Sequence, residues 1–219
     1  MKDASGYETS GASAAGLSLL EQACHELRCY IGDPVTTVDR ALEAAPELVM
    51  GHALRAYLHL LGTEPAGLPV AREAHRHGIA LASTDRERRH LQAIGELVEG
   101  RWRAAGRALE DLSIDYPLDA LALQTGHQVD FFTGDSRMLR DRIARALPSW
   151  ERPIPGYHAV LSMHAFGLEE TGDYANAEAQ GRASVELEPR DGWGQHAVAH
   201  VMEMQRRRRD GIGWMRANP

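Results

Sequence analysis

Apolar residues recur along much of this chain at the three- and four-residue spacing of an amphipathic helix. The clearest early example runs from Leu17 to Ile31 and stops at the helix-ending sequence Gly32-Asp33-Pro34. No segment shows the alternation of apolar and polar residues that is typical of a half-buried strand. The pattern therefore predicts an all-α fold made of antiparallel helix pairs.

A short signature recurs in the second half of the chain. Gly100, Gly134 and Gly172 lie 34 and then 38 residues apart, and the first and third are followed at matching distances by an aromatic residue, an alanine and a proline. A period of about 34 residues with these features is typical of tetratricopeptide repeats. We therefore predict a tetratricopeptide-type helical-repeat solenoid over residues 16–219. Residues 1–15 are rich in Gly, Ser, Ala and Thr, which predicts a mobile tail.

The prolines that close two of the repeats define the boundaries of the units. They place complete repeats near 86–119, 120–153 and 158–191, followed by an incomplete repeat at 192–219. In this last unit the second helix would have only the residues from Gly211 onward, which we expect to be too few for a stable packing helix. A repeat array needs a cap over its final apolar face. An uncapped last repeat would favour self-association, so a homo-oligomer is one expectation.

Composition narrows the class of protein. Hydrophobic residues make up 43% of the chain and charged residues 25%, as in an ordinary globular protein. The formal net charge of −7 does not favour a nucleic-acid partner, and no stretch is apolar enough to predict a membrane span. Cys24 and Cys29 lack the spacing of a redox or zinc motif, and we interpret them as reduced thiols of a cytoplasmic protein. Phosphate-loop, dinucleotide, metalloprotease and hydrolase motifs are absent, so we expect no cofactor and lean against an enzyme.

Four stretches of the chain carry a more specific resemblance. They are residues 49–53 (VMGHA), 119–123 (DALAL), 131–134 (FFTG) and 193–204 (WGQHAVAHVMEM). Together they resemble the tetratricopeptide repeat protein 38 family, in order, over roughly residues 16–216. The resemblance implies that this chain corresponds to the N-terminal part of that family, whose members continue for about as long again. It implies the helical-repeat fold and brings no established activity.

The repeat register predicts which side chains face the concave groove. Positions 2, 5, 9 and 12 of a tetratricopeptide unit typically point into that groove, which is the usual binding surface of a solenoid. Applied to the last three units, the register gives a groove lined by Gln124, Gln128, Phe131, Ser162, Phe166, Glu169, Trp193, His196, His200 and Glu203. We expect this groove to bind a peptide or a protein partner.

A second interpretation starts from the spacing of three of these residues. His196, His200 and Glu203 are four and three residues apart, so they share one stripe of a helix. Two imidazoles and a carboxylate can hold a transition metal, and a neutral imidazole can act as a general base. A metal-binding protein, or an enzyme that acts on a small molecule, is therefore the alternative function.

The other histidines suggest structural roles. His127 and Asp130 lie three residues apart on one predicted helix, and we expect a buried pair in which Asp130 fixes the tautomer of His127. We interpret His52 as structural as well. No role is assigned to the histidines on charged helices, which are His75, His77 and His90.

Overall fold

The regular structure of this protein is helical. The computed structural model describes residues 1–218, so Pro219, the end of the predicted incomplete repeat, lies outside the described residues. Within them, the one β-type pairing is an antiparallel bridge between Lys2 and Glu8. The all-α prediction is confirmed. The helices are α1 (Ala14–Cys29), α2 (Pro34–Ala44), α3 (Val49–Leu61), α4 (Gly67–Ala80), α5 (Asp85–Val98), α6 (Trp102–Asp115), α7 (Ala120–Phe132), α8 (Ser136–Ala146), α9 (Tyr157–Glu170), α10 (Tyr174–Leu187), α11 (Gly192–Met204) and α12 (Arg208–Ala217), with a 3₁₀ turn at Leu147–Ser149.

Several helices begin at a residue whose side chain accepts a hydrogen bond from the exposed backbone N–H groups of the first turn. Thr84 and Glu87 form a complete capping box at the start of α5. Asp119 caps α7 by accepting from the N–H of Ala122, and Asp191 caps α11 by accepting from Gly194. These two aspartates are buried, so each can also hold a side chain from elsewhere in the fold.

The turns between paired helices explain the repeated glycines. Gly100, Gly134 and Gly172 have φ angles of 72°, 71° and 86°. This left-handed conformation strains any residue with a Cβ atom, and glycine adopts it freely. The equivalent turn between α11 and α12 places Arg206 at φ 60° instead. The sequence signature therefore marks the ends of α5, α7 and α9, and the last pair departs from it.

Each helix packs against the next one along the chain. Ala105 and Ala177 are completely buried between paired helices. Their small side chains allow the helices to approach closely, whereas a larger side chain would separate them. Some odd-numbered helices also contact one another, namely α3 with α5, α7 with α9 and α9 with α11, and α1 reaches across to α11. This long-range contact brings residues near 27 and 193 together and shapes the site described below.

The N-terminal segment differs from the predicted mobile tail. The backbone N–H and the hydroxyl of Ser10 both donate to the Glu87 carboxylate, at 2.8 and 2.7 Å. The Asp3 carboxylate lies 3.0 Å from the guanidinium of Arg86, and Ala14 already belongs to α1. Glu87 and Arg86 are buried charged residues, which need polar partners. The short polar residues that suggest a tail by composition supply those partners.

The C-terminal end also differs from prediction, because the last pair does have its second helix. In α12, Trp214 donates its indole N–H to the carbonyl of Gln195 at 3.0 Å, and the guanidinium of Arg182 stacks over the same ring at 4.8 Å. These contacts offset the low helix propensity of the two glycines. No residue of α12 is buried, so the helix is held mainly by this aromatic anchor and by the ion pair of Arg207 with Glu178.

Among residues 1–218 there is no helix with both the length and the apolar character needed to span a membrane. The longest is α1, with 16 residues.

Candidate functional site

A cavity of about 160 Å³ opens between α7, α9 and α11. Most of the residues that the repeat register places in the groove line this cavity: Gln124, Gln128, Phe131, Ser162, Phe166, Trp193 and His196. The lining is completed by His127, Phe132 and Met163, which the register did not select. Phe132 and His127 are the chain neighbours of Phe131 and Gln128, so they border the same groove from the adjacent helical positions.

Aromatic rings form a continuous cluster along the cavity. Phe166 lies at its centre, with ring centroids 5.8 Å from Phe131, 6.0 Å from His196 and 5.9 Å from His200. The rings of His196 and His200 are 4.7 Å apart, one helical turn along α11. Phe131 and Phe132 remain 51% and 46% exposed. Two neighbouring phenylalanines that stay half exposed beside an apolar cavity are unusual for a structural role alone.

The end of α1 fixes two walls of the cavity. The side-chain amide of Gln124 and the indole N–H of Trp193 both donate to the carbonyl oxygen of Leu27, at 3.2 and 3.3 Å. Carbonyls in the last turn of a helix lack their usual partners four residues on, so Leu27, which also accepts from the N–H of Tyr30 at 3.4 Å, has room for these bonds. Tyr30, in the left-handed position just after α1, packs its ring 5.0 Å from Trp193. These contacts hold the polar and aromatic walls in place before any ligand arrives.

One polar atom of the cavity has no partner in the described chain. The Oε1 atom of Gln128 is buried and makes no hydrogen bond. A buried acceptor without a donor is costly, and native proteins satisfy nearly all such groups. Gln128 lines the cavity, so a flip of its side-chain amide would turn this oxygen toward an N–H or O–H group of a ligand that entered it.

A histidine and a glutamate meet at the rim, beyond the cavity itself. Nδ1 of His200 lies 3.4 Å from the carboxylate of the buried Glu169. Burial raises the pKa of Glu169, and the nearby His200 opposes this effect. The ring of His196 lies at the cavity mouth, where partial desolvation lowers its pKa and the neighbouring His200 lowers it further. The rim therefore presents a neutral His196 beside a polar His200–Glu169 pair.

The predicted metal set is not assembled in this structure. Glu203 is exposed and lines a separate shallow depression with the arginines that follow α11, away from His196. The acidic groups near His200 come instead from α9, as Glu169 and Glu170. A shared helical stripe was the basis of the prediction, but the packing of α9 against α11 decides which carboxylate meets His200.

The expected pairing of His127 with Asp130 is also wrong. Asp130 accepts two hydrogen bonds from the buried guanidinium of Arg142, at 2.8 and 3.0 Å. Nδ1 of His127 donates to the carbonyl of Leu139 at 3.2 Å. Burial lowers the pKa of His127 to about 3, and the charge of Arg142 also lowers it. His127 is therefore a neutral ring in the wall of the cavity.

A buried polar network escaped the sequence interpretation altogether. His90 has no exposed surface; its Nε2 lies 2.9 Å from Asp119, and its Nδ1 lies 3.1 Å from the hydroxyl of Tyr57. Arg86 lies 3.1 Å from the same Asp119 carboxylate. Burial raises the pKa of Asp119, but His90 and Arg86 outweigh it and hold that pKa below its ordinary value. The repeat register did contain a signal, because His90 occupies the fifth position of unit 86–119.

The arrangement as a whole suits recognition of a small apolar group. It combines aromatic walls, oriented amides and neutral imidazoles, the usual content of a ligand pocket. No family model matches this chain, and no solved structure is similar to it.

Proposed function

We propose that this protein is a tetratricopeptide-type helical-repeat scaffold, related to the tetratricopeptide repeat protein 38 family, that binds a peptide or protein partner through the cavity between α7, α9 and α11. The observation that carries this proposal is the exposed aromatic cluster around Phe166, which borders a preformed apolar cavity. Repeat scaffolds use their inner helices as binding surfaces, and exposed aromatic residues beside a pocket are typical of binding hot spots.

The size of the cavity limits what can enter it. An apolar cavity of about 150 Å³ in an engineered protein accommodates one benzene molecule. The present cavity, at about 160 Å³, therefore fits one aromatic or branched aliphatic side chain. A drug-sized metabolite or a nucleotide needs roughly 300 Å³ or more. We infer that the partner inserts a single apolar side chain and that the rest of it lies along Phe131 and Phe132.

The polar groups favour a peptide over a purely apolar ligand. Gln128 has an unpaired side-chain oxygen at the cavity wall, which a flip of the amide would turn inward. A peptide that inserts one side chain brings its own backbone N–H to the cavity mouth, where it would donate to Gln128 Oε1. A hydrocarbon ligand would leave this acceptor unpaired and would forgo the gain of about 1–3 kcal/mol that a donor would bring.

A random-peptide display library selected against the untagged protein tests this function. We expect the enriched peptides to share one aromatic or branched aliphatic anchor. Replacing Phe131 by Ala should weaken their capture at least about tenfold, since an aromatic side chain at a hot spot contributes about 2 kcal/mol or more. Ile79→Ala is the matched control, because Ile79 is 58% exposed and lies on α4, away from the cavity.

Two results would contradict the proposal. One is a library without any enriched anchor, and the other is capture that Phe131→Ala and Ile79→Ala weaken equally. The Gln128→Ala variant gives an independent test of the hydrogen bond to the peptide backbone. It should reduce the capture of peptides with a free backbone N–H after the anchor and should not affect peptides N-methylated at that position.

One specific observation favours the alternative function, a metal-binding protein or an enzyme. Glu169, Glu170 and His200 offer ligand atoms that lie within 4.8 Å of one another. This set would replace the predicted His196, His200 and Glu203. Elemental analysis of untagged wild-type protein and of the His200→Ala variant decides the matter. A metal that is lost with His200 would support this alternative.

Self-association remains the third proposal, now with a different surface. Met204, Ile212 and Met215 are each more than half exposed at the last helix pair. Sedimentation of the wild-type chain and of an Ile212→Glu variant would show whether this face joins two copies in the cytoplasm, where we expect the protein to work.

A further inference from the structure

Three potential metal ligands converge at a second place, where α1 meets α9. His25 and Cys29 lie one turn apart on α1, and His158 lies near the start of α9. Each offers a ligand atom, and these atoms all lie within 4.8 Å of one another. The Sγ atom of Cys29 is 3.7 Å from either ring nitrogen of His25, and the rings of His25 and His158 are 6.0 Å apart.

These separations are close to those of a tetrahedral zinc site. Zinc binds sulfur at about 2.3 Å and imidazole nitrogen at about 2.0–2.1 Å, so neighbouring sulfur and nitrogen ligands lie about 3.6 Å apart. The distance from Cys29 to His25 already matches this value within about 0.1 Å. Small rotations of the His25 and His158 rings are enough to point one nitrogen of each at a common centre.

The surroundings of His158 match those of a metal ligand. Its Nδ1–H donates to the carboxylate of Asp191 at 2.8 Å, which leaves Nε2 with its lone pair available. Asp191 is fully buried and is held in turn by the hydroxyl of Ser184, at 2.6 Å, and by the N–H of Gly194. A histidine that binds a metal almost always donates its other nitrogen to a carboxylate, a carbonyl or water. The sequence spacing of two cysteines gave no sign of such a site.

The charged groups near Cys29 are of both signs. The carboxylates of Asp191 and Glu188 lie near its thiol, and so do the guanidinium groups of Arg28 and Arg190. A divalent ion would displace the thiol proton and share the resulting thiolate. Arg190 contacts His25 Nε2 at 3.2 Å, but its side chain is exposed and already paired with Glu188, so it can move aside.

We propose that His25, Cys29 and His158 bind one zinc ion, with water in the fourth position. Binding releases one proton, from the Cys29 thiol, and consumes no other reactant. The ion joins α1 to α9 across a large distance in sequence. Leu27, whose carbonyl holds Gln124 and Trp193, lies between the two ligands on α1. The metal would therefore fix the end of α1 that supports the cavity walls.

Metal titration of the untagged full chain under reducing conditions tests this site. The protein is first stripped with a chelator, and Zn²⁺ is then added in competition with a chromophoric chelator. Co²⁺ is added in parallel, because a thiolate ligand gives a near-ultraviolet charge-transfer band. We expect one ion per chain and a clear thiolate band. Cys29→Ser should abolish the band and weaken Zn²⁺ binding more than about 100-fold, since even indirect supports of a metal site contribute 10–100-fold.

The same two helices supply matched controls. Cys24→Ser on α1 and His164→Ala on α9 change residues outside the cluster and should leave stoichiometry, affinity and the band unchanged. If Cys29→Ser fails to fold by circular dichroism, His25→Ala serves instead, because the His25 side chain is 32% exposed. The proposal is overturned if the wild-type chain binds no stoichiometric ion. It is equally overturned if binding survives Cys29→Ser and is lost in His200→Ala, which would place the ion at the Glu169 cluster.

Discussion

His90 and His196 both fall at the fifth position of the predicted repeat units, and yet they lie in opposite surroundings. His90 is completely buried, and both of its ring nitrogens have protein partners, Tyr57 and Asp119. His196 lies at the mouth of a cavity among aromatic rings. The difference arises because α3 packs across α5 and supplies Tyr57, whereas the α11 position faces the open cavity.

The comparison separates two uses of one position in the predicted repeat. At α5 the polar side chain became part of a satisfied buried network, whose value lies in stability and specificity of packing. At α11 the equivalent side chain keeps free hydrogen-bonding groups next to an apolar cavity, which suits recognition of a ligand. Substitutions at the first site should therefore change the free energy of unfolding, and substitutions at the second should change binding.

The largest effect is expected for Asp119→Ala. The substitution removes the carboxylate that partners Arg86 and His90 and also removes the cap of α7. Leaving a buried charge without its partner costs about 3–5 kcal/mol in the free energy of unfolding. Urea denaturation measures this change. Asp173→Ala is the control, because Asp173 is an exposed cap of α10 and should cost about 1 kcal/mol. Equal losses in the two variants would mean that the buried network contributes little.

A second prediction concerns acid and His127. Burial holds the pKa of His127 at about 3, whereas the ordinary pKa of a histidine, which applies to the unfolded chain, is 6.5. Between these values the unfolded chain binds the additional proton, so the stabilisation is complete above pH 6.5 and is lost as the pH falls toward 3. The slope from this one group approaches about 1.4 kcal/mol per pH unit.

His127→Gln tests that slope, because the amide can still donate to the carbonyl of Leu139 but does not titrate. Urea denaturation between pH 7 and pH 4 should show a smaller loss of stability in His127→Gln than in the wild-type chain. His75→Gln, on α4, should follow the wild type. Identical slopes in all three proteins would show that His127 is not held neutral by burial.

A smaller effect is expected for Trp193→Phe. This change keeps an aromatic wall but removes the hydrogen bond to Leu27, which joins α11 to α1. The loss should be about 1 kcal/mol, the net contribution of one hydrogen bond. Thermal or urea unfolding would measure it. A variant as stable as the wild type would mean that the hydrogen bond between α1 and α11 contributes nothing to the free energy of unfolding.

Local rules in the sequence predicted the parts of this fold that depend on local chemistry. Gly100, Gly134 and Gly172 marked turns that need a left-handed residue, and the observed φ angles agree. The predicted repeat register also placed Gln124, Phe166 and other distant residues in one groove, and these residues line one cavity of the structure.

The predictions that proved wrong all involve contacts between residues that are distant along the chain. Glu169 rather than Glu203 meets His200, and Arg142 rather than His127 meets Asp130, because helix packing selects the neighbour. The packing of the N-terminal segment and of α12 was not predicted, for a related reason. Composition describes local preference, whereas Ser10 and Trp214 are held by contacts with α5, α10 and α11.

The most direct test of the binding role is the double variant His196→Ala/His200→Ala, measured for stability and for capture of a library-selected peptide in the same preparation. We predict a loss of unfolding free energy of about 1–2 kcal/mol, because His200 is the partner of the buried Glu169 carboxylate, and at least tenfold weaker capture, or about 1.4 kcal/mol. His75→Ala/His77→Ala should change neither quantity. A double variant that loses more than about 2 kcal/mol of stability, or that captures the peptide as well as the wild type, would contradict the assignment of this face to binding.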